Sequence, residues 1–69
     1  MSKEMDFFIY LIERYGARRG ITGAQVLELL DSKGVTGFVF DMYELYHSER
    51  IENAFEDIDR LLVAPLAPQ

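Results

Sequence analysis

Phe38-Val39-Phe40-Asp41-Met42-Tyr43-Glu44-Leu45-Tyr46 carries seven apolar or aromatic residues, interrupted only by Asp41 and Glu44. Read as a helix, with successive residues about 100° apart, the stretch cannot hold all seven on one stripe. Phe38, Met42 and Leu45 share one side with Val39 and Tyr46, whereas Phe40 and Tyr43 point elsewhere. A helix apolar around most of its circumference is normally covered on several sides. In a chain this short it is the central element, a partner surface, or both.

The flanks of this stretch read as helix boundaries. Before it, Lys33-Gly34 is a stop signal and Val35-Thr36-Gly37 a brief turn. Thr36 is placed to cap a third helix running from about residue 37 to residue 47. Upstream, Thr22 followed by Gln25 has the spacing of a capping box, with Ile21 and Val26 placed as a hydrophobic staple. The second helix so opened turns Val26, Leu27, Leu29 and Leu30 inward and leaves Glu28 and Asp31 in water. The first helix starts at Ser2, whose hydroxyl can cap it, with Glu4 and Asp6 near its positive end. Met5, Phe8, Ile9, Ile12 and Tyr15 or Gly16 recur at i, i+3, i+4, i+7 and form its predicted core face, leaving Phe7, Tyr10 and Leu11 off that face. Arg18 and Arg19 suit its C-terminus, and Gly20 can take the left-handed conformation that stops it. Gly16, Gly20, Gly34 and Gly37 all fall where helices are expected to end or begin.

After His47 the apolar residues Ile51, Ala54, Phe55, Ile58, Leu61 and Leu62 fit a period of 3.6, with Glu49, Glu52, Glu56 and Asp59 on the wet side. One helix is predicted over residues 51–62, in competition with a short extended arm at 51–55 followed by a terminal helix. Pro65 disfavours helix at the residue before it. The organisation expected is therefore all-α: a single helical domain over residues 1–64, three main helices plus a C-terminal helical segment, and a tail at 65–69.

Composition bounds the function. Sixty-nine residues make at most one domain, and a chain this short buries only about 60% of its unfolded surface. There is no cysteine, so neither a disulfide nor a thiolate zinc site can add stability, whereas five Phe and four Tyr argue for a folded chain. A net charge of −5 opposes binding to nucleic acid or to an anionic membrane. The longest apolar run, residues 7–12, is far short of the roughly 20 residues that span a bilayer. The N-terminus lacks the basic region and cleavage site of a signal peptide, so a cytoplasmic location is expected.

Three sharper readings compete. Residues 21–43 have the outline of a DNA-binding helix-turn-helix. Its recognition helix, however, would offer the groove Phe38, Val39, Phe40, Asp41 and Glu44 instead of Arg, Lys, Asn or Gln. Glu44-Leu45-Tyr46-His47 is one half of the Glu-x-x-His signature of carboxylate-bridged metal sites in helical bundles. A second half would have to come from a second copy, and His47 is explained more simply by the negative end of its helix. A nucleophilic site has only Ser2, Ser32 or Ser48 to pair with the one histidine, and no glycine-rich phosphate loop is present. No catalytic residue, cofactor or metal is therefore expected. The third reading rests on surplus apolar residues: Phe7, Tyr10 and Leu11 on the first helix, Phe40 and Tyr43 on the third, and Leu62, Val63 and Leu66 near the end. An apolar patch containing tyrosine, rimmed by Glu44, Glu49, Glu52, Glu56 and Asp59, would mark a protein interface.

Met5-Asp6-Phe7-Phe8-Ile9-Tyr10, residues 22–30, Lys33-Gly34-Val35, Tyr43-Glu44-Leu45-Tyr46-His47 and Glu56-Asp57-Ile58-Asp59 together resemble the bacterial family labelled domain of unknown function 3791. The resemblance runs to about Leu62 and leaves the tail outside. It implies a small stand-alone protein with no established activity, encoded beside proteins that carry a domain resembling ADP-ribosyltransferases. It further implies an antitoxin-like or accessory binding role. Tyr43, Glu44, His47, Asp57 and Asp59 match the family's recurring polar positions. The function expected is thus a non-catalytic interaction module, a homo-oligomer (a dimer) or a binder of that ADP-ribosyltransferase-like neighbour. Phe7, Tyr10, Leu11, Phe40, Tyr43, Glu44 and His47 form the expected interface. A transcriptional regulator and a carboxylate/His metal protein are the alternatives.

Overall fold

The computed structural model describes residues 2–63, and all regular structure among them is helical: α1 (Lys3–Arg19), α2 (Gly23–Ser32), α3 (Thr36–Asp41), α4 (Tyr43–Tyr46) and α5 (Ile51–Val63). The expected helix stop at Pro65, Leu66 and the tail at 65–69 lie outside the described residues. The chain is all-α, as its periodicity requires.

Local chemistry sets the first two helices. Ser2 accepts from the Met5 amide at 3.1 Å, with Glu4 and Asp6 in the first turn and Arg18 and Arg19 in the last. Gly20, at φ 76°, reverses the chain. The capping box at α2 is complete: the Gln25 amide donates to Thr22 Oγ1 at 3.1 Å, and the Thr22 amide donates to Gln25 Oε1 at 2.9 Å. Removing such a cap costs about 1 kcal/mol. The connection is short because α1 and α2 touch. Gly16 lies inside α1, not at its end, and a Cβ there would stand 2.6 Å from the Ile21 carbonyl oxygen. Backbone contact at this point demands glycine.

Residues 37–47 do not form one helix. The rod breaks at Met42, whose amide bonds three residues back to Val39 at 3.2 Å. Val39 and Tyr46 are the buried side chains of the two pieces, while Phe38 and Leu45 are exposed at 51% and 45%. The break has a packing reason: α3 lies on α1 and α2, whereas α4 lies on α1 and α5, and a straight rod cannot follow both. Nor does Thr36 cap α3. Val35 holds the cap position, and the Thr36 hydroxyl donates instead to the Asp31 carboxylate. Residues 51–63 form one helix, without an extended arm.

A single core joins Phe8, Leu11, Ile12 and Tyr15 of α1 to Val26 and Leu30 of α2, Val39, Tyr46, and Ala54, Phe55 and Ile58 of α5. The inward stripe of α1 differs from the expected one. Leu11 is 1% exposed, whereas Met5 and Ile9 are exposed at 36% and 39%. Both stripes have helical spacing and share Phe8 and Ile12, and the position of the neighbouring helices decides between them. Leu29, expected to face inward, is likewise exposed.

Two tyrosine–carboxylate bridges fasten α5. The Tyr15 hydroxyl donates to Asp59 Oδ1 at 2.6 Å, and Arg19 Nη1 donates to the Tyr15 oxygen at 2.7 Å and to Asp59 at 3.0 Å. The Tyr46 hydroxyl donates to Asp57 Oδ2 at 2.9 Å, and Arg60 pairs with the same carboxylate. Each lets a buried ring place its only polar atom at the core's edge, so that no buried side-chain polar atom among the described residues lacks a partner. Burial of the ring, then the bond to Asp59, pushes the Tyr15 hydroxyl up to about 12. Burial and Asp57 push Tyr46 higher still than the ordinary tyrosine range.

Candidate functional site

The expected interface residues separate into three groups. Leu11 belongs to the core and offers no surface to a partner; its side chain is consumed in joining α1 to the other helices. Phe40 sits edge-on to Phe8, with ring centroids 5.6 Å apart, on the side of α1 that faces α3. The remaining rings come together.

Phe7 and Tyr10 stand one turn apart on α1, and Tyr43 and His47 one turn apart along α4 and its cap. Where the helices meet, Phe7 lies edge-on to Tyr43 at 5.7 Å and to His47 at 6.4 Å, and its centroid is 6.5 Å from Tyr10. Tyr43 and His47 stack in parallel at 4.1 Å, with an angle of 4° between their planes. His47 Nδ1 is 2.6 Å from the Tyr43 carbonyl oxygen. A carbonyl only accepts, so Nδ1 carries the proton and donates, which leaves Nε2 as the acceptor when the ring is neutral. The imidazole thus closes the end of α4, as a helix C-terminus favours. Arg14 continues the surface, its guanidinium 5.6 Å from the Tyr10 ring centre. Tyr10 is 49% exposed, Phe7 and Tyr43 are half-buried, and His47 and Glu44 are exposed. The face is open to water. It combines aromatic rings, an imidazole and a guanidinium, and Glu44 adjoins Tyr43 in sequence.

A second open feature escapes the sequence reading. Met5, Phe8, Ile9 and Ile12 of α1, Leu27 of α2, and Thr36, Gly37 and Phe40 of α3 line an open apolar groove of about 500 Å³. The signal was present in the alternative stripe of α1. Met5 and Ile9 have helical spacing with the core residues but are not covered by them. Among the described residues, no group of three or more His, Asp or Glu side chains is placed to hold a metal, so Glu44 and His47 stand without further ligands. Among the same residues no helix is long and apolar enough to cross a membrane.

The family whose model matches the chain is described as "protein of unknown function (DUF3791)", over residues 6–64. The protein belongs to that family. The match takes in the aromatic face and, apart from Met5, the groove. No curated protein and no solved structure matches the chain.

Proposed function

We propose that the protein is a non-catalytic interaction module whose docking face is the aromatic surface of Phe7, Tyr10, Tyr43 and His47, with Glu44 and Arg14 at its edge. One observation carries the reading. Rings from two helices meet on one surface, Phe7 edge-on to Tyr43 and Tyr43 stacked on His47, and Tyr10 and His47 remain open to water. Tyrosine and arginine are favoured at interfaces because each combines a large apolar contact with a polar tip. The partner is a second copy of the chain or a protein encoded nearby, such as an ADP-ribosyltransferase-like enzyme that the module occludes in an antitoxin-like manner, in the cytoplasm. A net charge of −5 would steer a basic partner towards it. The helix-turn-helix and metal readings draw no specific observation in their favour.

The test pairs light scattering of the pure protein with capture from native lysate, for the wild type and for Tyr10→Ala/Tyr43→Ala. The wild type is expected to dimerise or to retain a defined partner, and the double variant to lose that association while keeping its helical spectrum. A monomer that retains nothing, or a variant that associates as the wild type does, refutes the reading.

A further inference from the structure

The groove between α1, α2 and α3 lies on the other side of α1 from the aromatic face, and three features mark it. First, its lining offers only apolar surface, and its volume of about 500 Å³ falls within the roughly 300–1,000 Å³ of ligand-sized clefts. Second, all three walls carry exposed acids at helical spacing from the lining. Asp6 stands three before Ile9, Asp31 four after Leu27, and Asp41 four after Gly37. Asp31 is held at the rim by the hydroxyl of Thr36, itself a lining residue. Third, Gly37 is unexplained by the fold of the isolated chain. Its φ is not positive, and a Cβ built there meets nothing within 4 Å. Glycine in a helix costs about 0.5–1 kcal/mol relative to alanine. Here it leaves part of the groove lining as bare backbone, as a close approach by another chain requires.

We infer that this groove docks an amphipathic helix of a protein partner, with an apolar i, i+3, i+4, i+7 stripe and Lys or Arg along its flanks. The apolar stripe fills the cleft over Gly37 while the basic flanks meet Asp6, Asp31 and Asp41. A second copy of the chain is the poorer occupant, since each copy brings a charge of −5. The inference concerns a surface separate from the aromatic face and does not depend on it.

The probe is an 18-residue helical peptide of Leu and Lys carrying that stripe. Its control is a peptide with the same leucines and Glu in place of Lys. Each is titrated at physiological salt into the isotope-labelled full chain and followed by amide chemical shifts. The Leu/Lys peptide is expected to move the amides of Ile9, Leu27, Gly37 and Phe40 and to bind at least tenfold more tightly than the Leu/Glu peptide. Gly37→Gln, which fits the open space and keeps the helix, is expected to weaken that binding at least tenfold with no loss of thermal stability. Four results overturn the inference: no binding, equal affinity for the two peptides, shifts confined to Phe7, Tyr43 and His47, or unchanged affinity in Gly37→Gln. Concentration-dependent shifts at the groove without peptide would assign it to a second copy and overturn it too.

Discussion

Replacing Gly16 and Gly37 by alanine, one at a time, sets helix propensity against packing. Propensity alone favours alanine at both positions, by up to about 1 kcal/mol in a helix interior. At Gly16 the new methyl would lie 2.6 Å from the Ile21 carbonyl oxygen and 3.1 Å from Thr22 backbone atoms. These atoms belong to the α1–α2 connection, which is tied down by the Ile21 amide bonding to the Gly16 carbonyl at 2.8 Å. No flexible side chain can swing away, so the upper end of the roughly 1–3 kcal/mol overpacking range applies. Subtracting the propensity gain leaves a net loss of about 2 kcal/mol for Gly16→Ala. At about 4–8 °C per kcal/mol for a domain of this size, the Tm falls by about 8–16 °C. A Cβ at Gly37 meets nothing within 4 Å and the residue sits near the start of a six-residue helix, so roughly half the propensity gain remains and the Tm rises by about 2–4 °C. Thermal unfolding followed by circular dichroism at 222 nm reads both. A Gly16→Ala protein as stable as the wild type would show that the two helices are not in backbone contact, and the packing argument would fail.

Leu11→Ala, at a position the sequence placed on the surface, is expected to cost about 2–5 kcal/mol in urea unfolding, because it opens a cavity in the core. A loss below 0.5 kcal/mol would mean that Leu11 is not buried. Tyr15→Phe removes a hydroxyl bond to a charged acceptor and is expected to cost about 1.5–3 kcal/mol. The Arg19–Asp59 ion pair left behind is half exposed and contributes at most about 1 kcal/mol, so it cannot compensate. The alkaline limb of stability follows from the same bond. The folded state holds the Tyr15 proton up to about 12 while the unfolded chain releases it near the ordinary 10.0. Folding therefore binds the extra proton, and stability is full below pH 10 and declines as pH rises from 10 through 12. Urea midpoints across that window should fall less steeply in Tyr15→Phe than in the wild type, and identical slopes would refute the assignment. Thr22→Ala is expected to cost about 1 kcal/mol through the capping box, read as a Tm lowered by about 4–8 °C.

Much of the architecture could be read along the chain because it rests on bonds within a few residues. Ser2 with Met5, Thr22 with Gln25, and Gly20 and Gly34 at positive φ each act over three or four residues, so residue order alone fixes where α1 and α2 start and stop. The strong 3.6 period of residues 51–62 likewise favoured one helix over an extended arm at 51–55, and α5 is that helix. Part of the candidate face was legible for the same reason: Phe7 with Tyr10, and Tyr43 with His47, are neighbours one turn apart. That the two pairs meet was not legible, since it depends on α4 crossing α1.

The sequence by itself thus determined an all-α chain, the caps that open α1 and α2, and the pairs of rings one turn apart on α1 and α4. Tertiary structure alone decided which of two equally spaced stripes of α1 is buried, choosing Leu11 over Met5 and Ile9. It also decided that the rod at 38–46 breaks at Met42, and that Asp57 and Asp59 serve as acceptors for buried tyrosines. The physical reason is common to all three. Each choice depends on the direction from which another helix approaches, and periodicity within one helix carries no information about that direction.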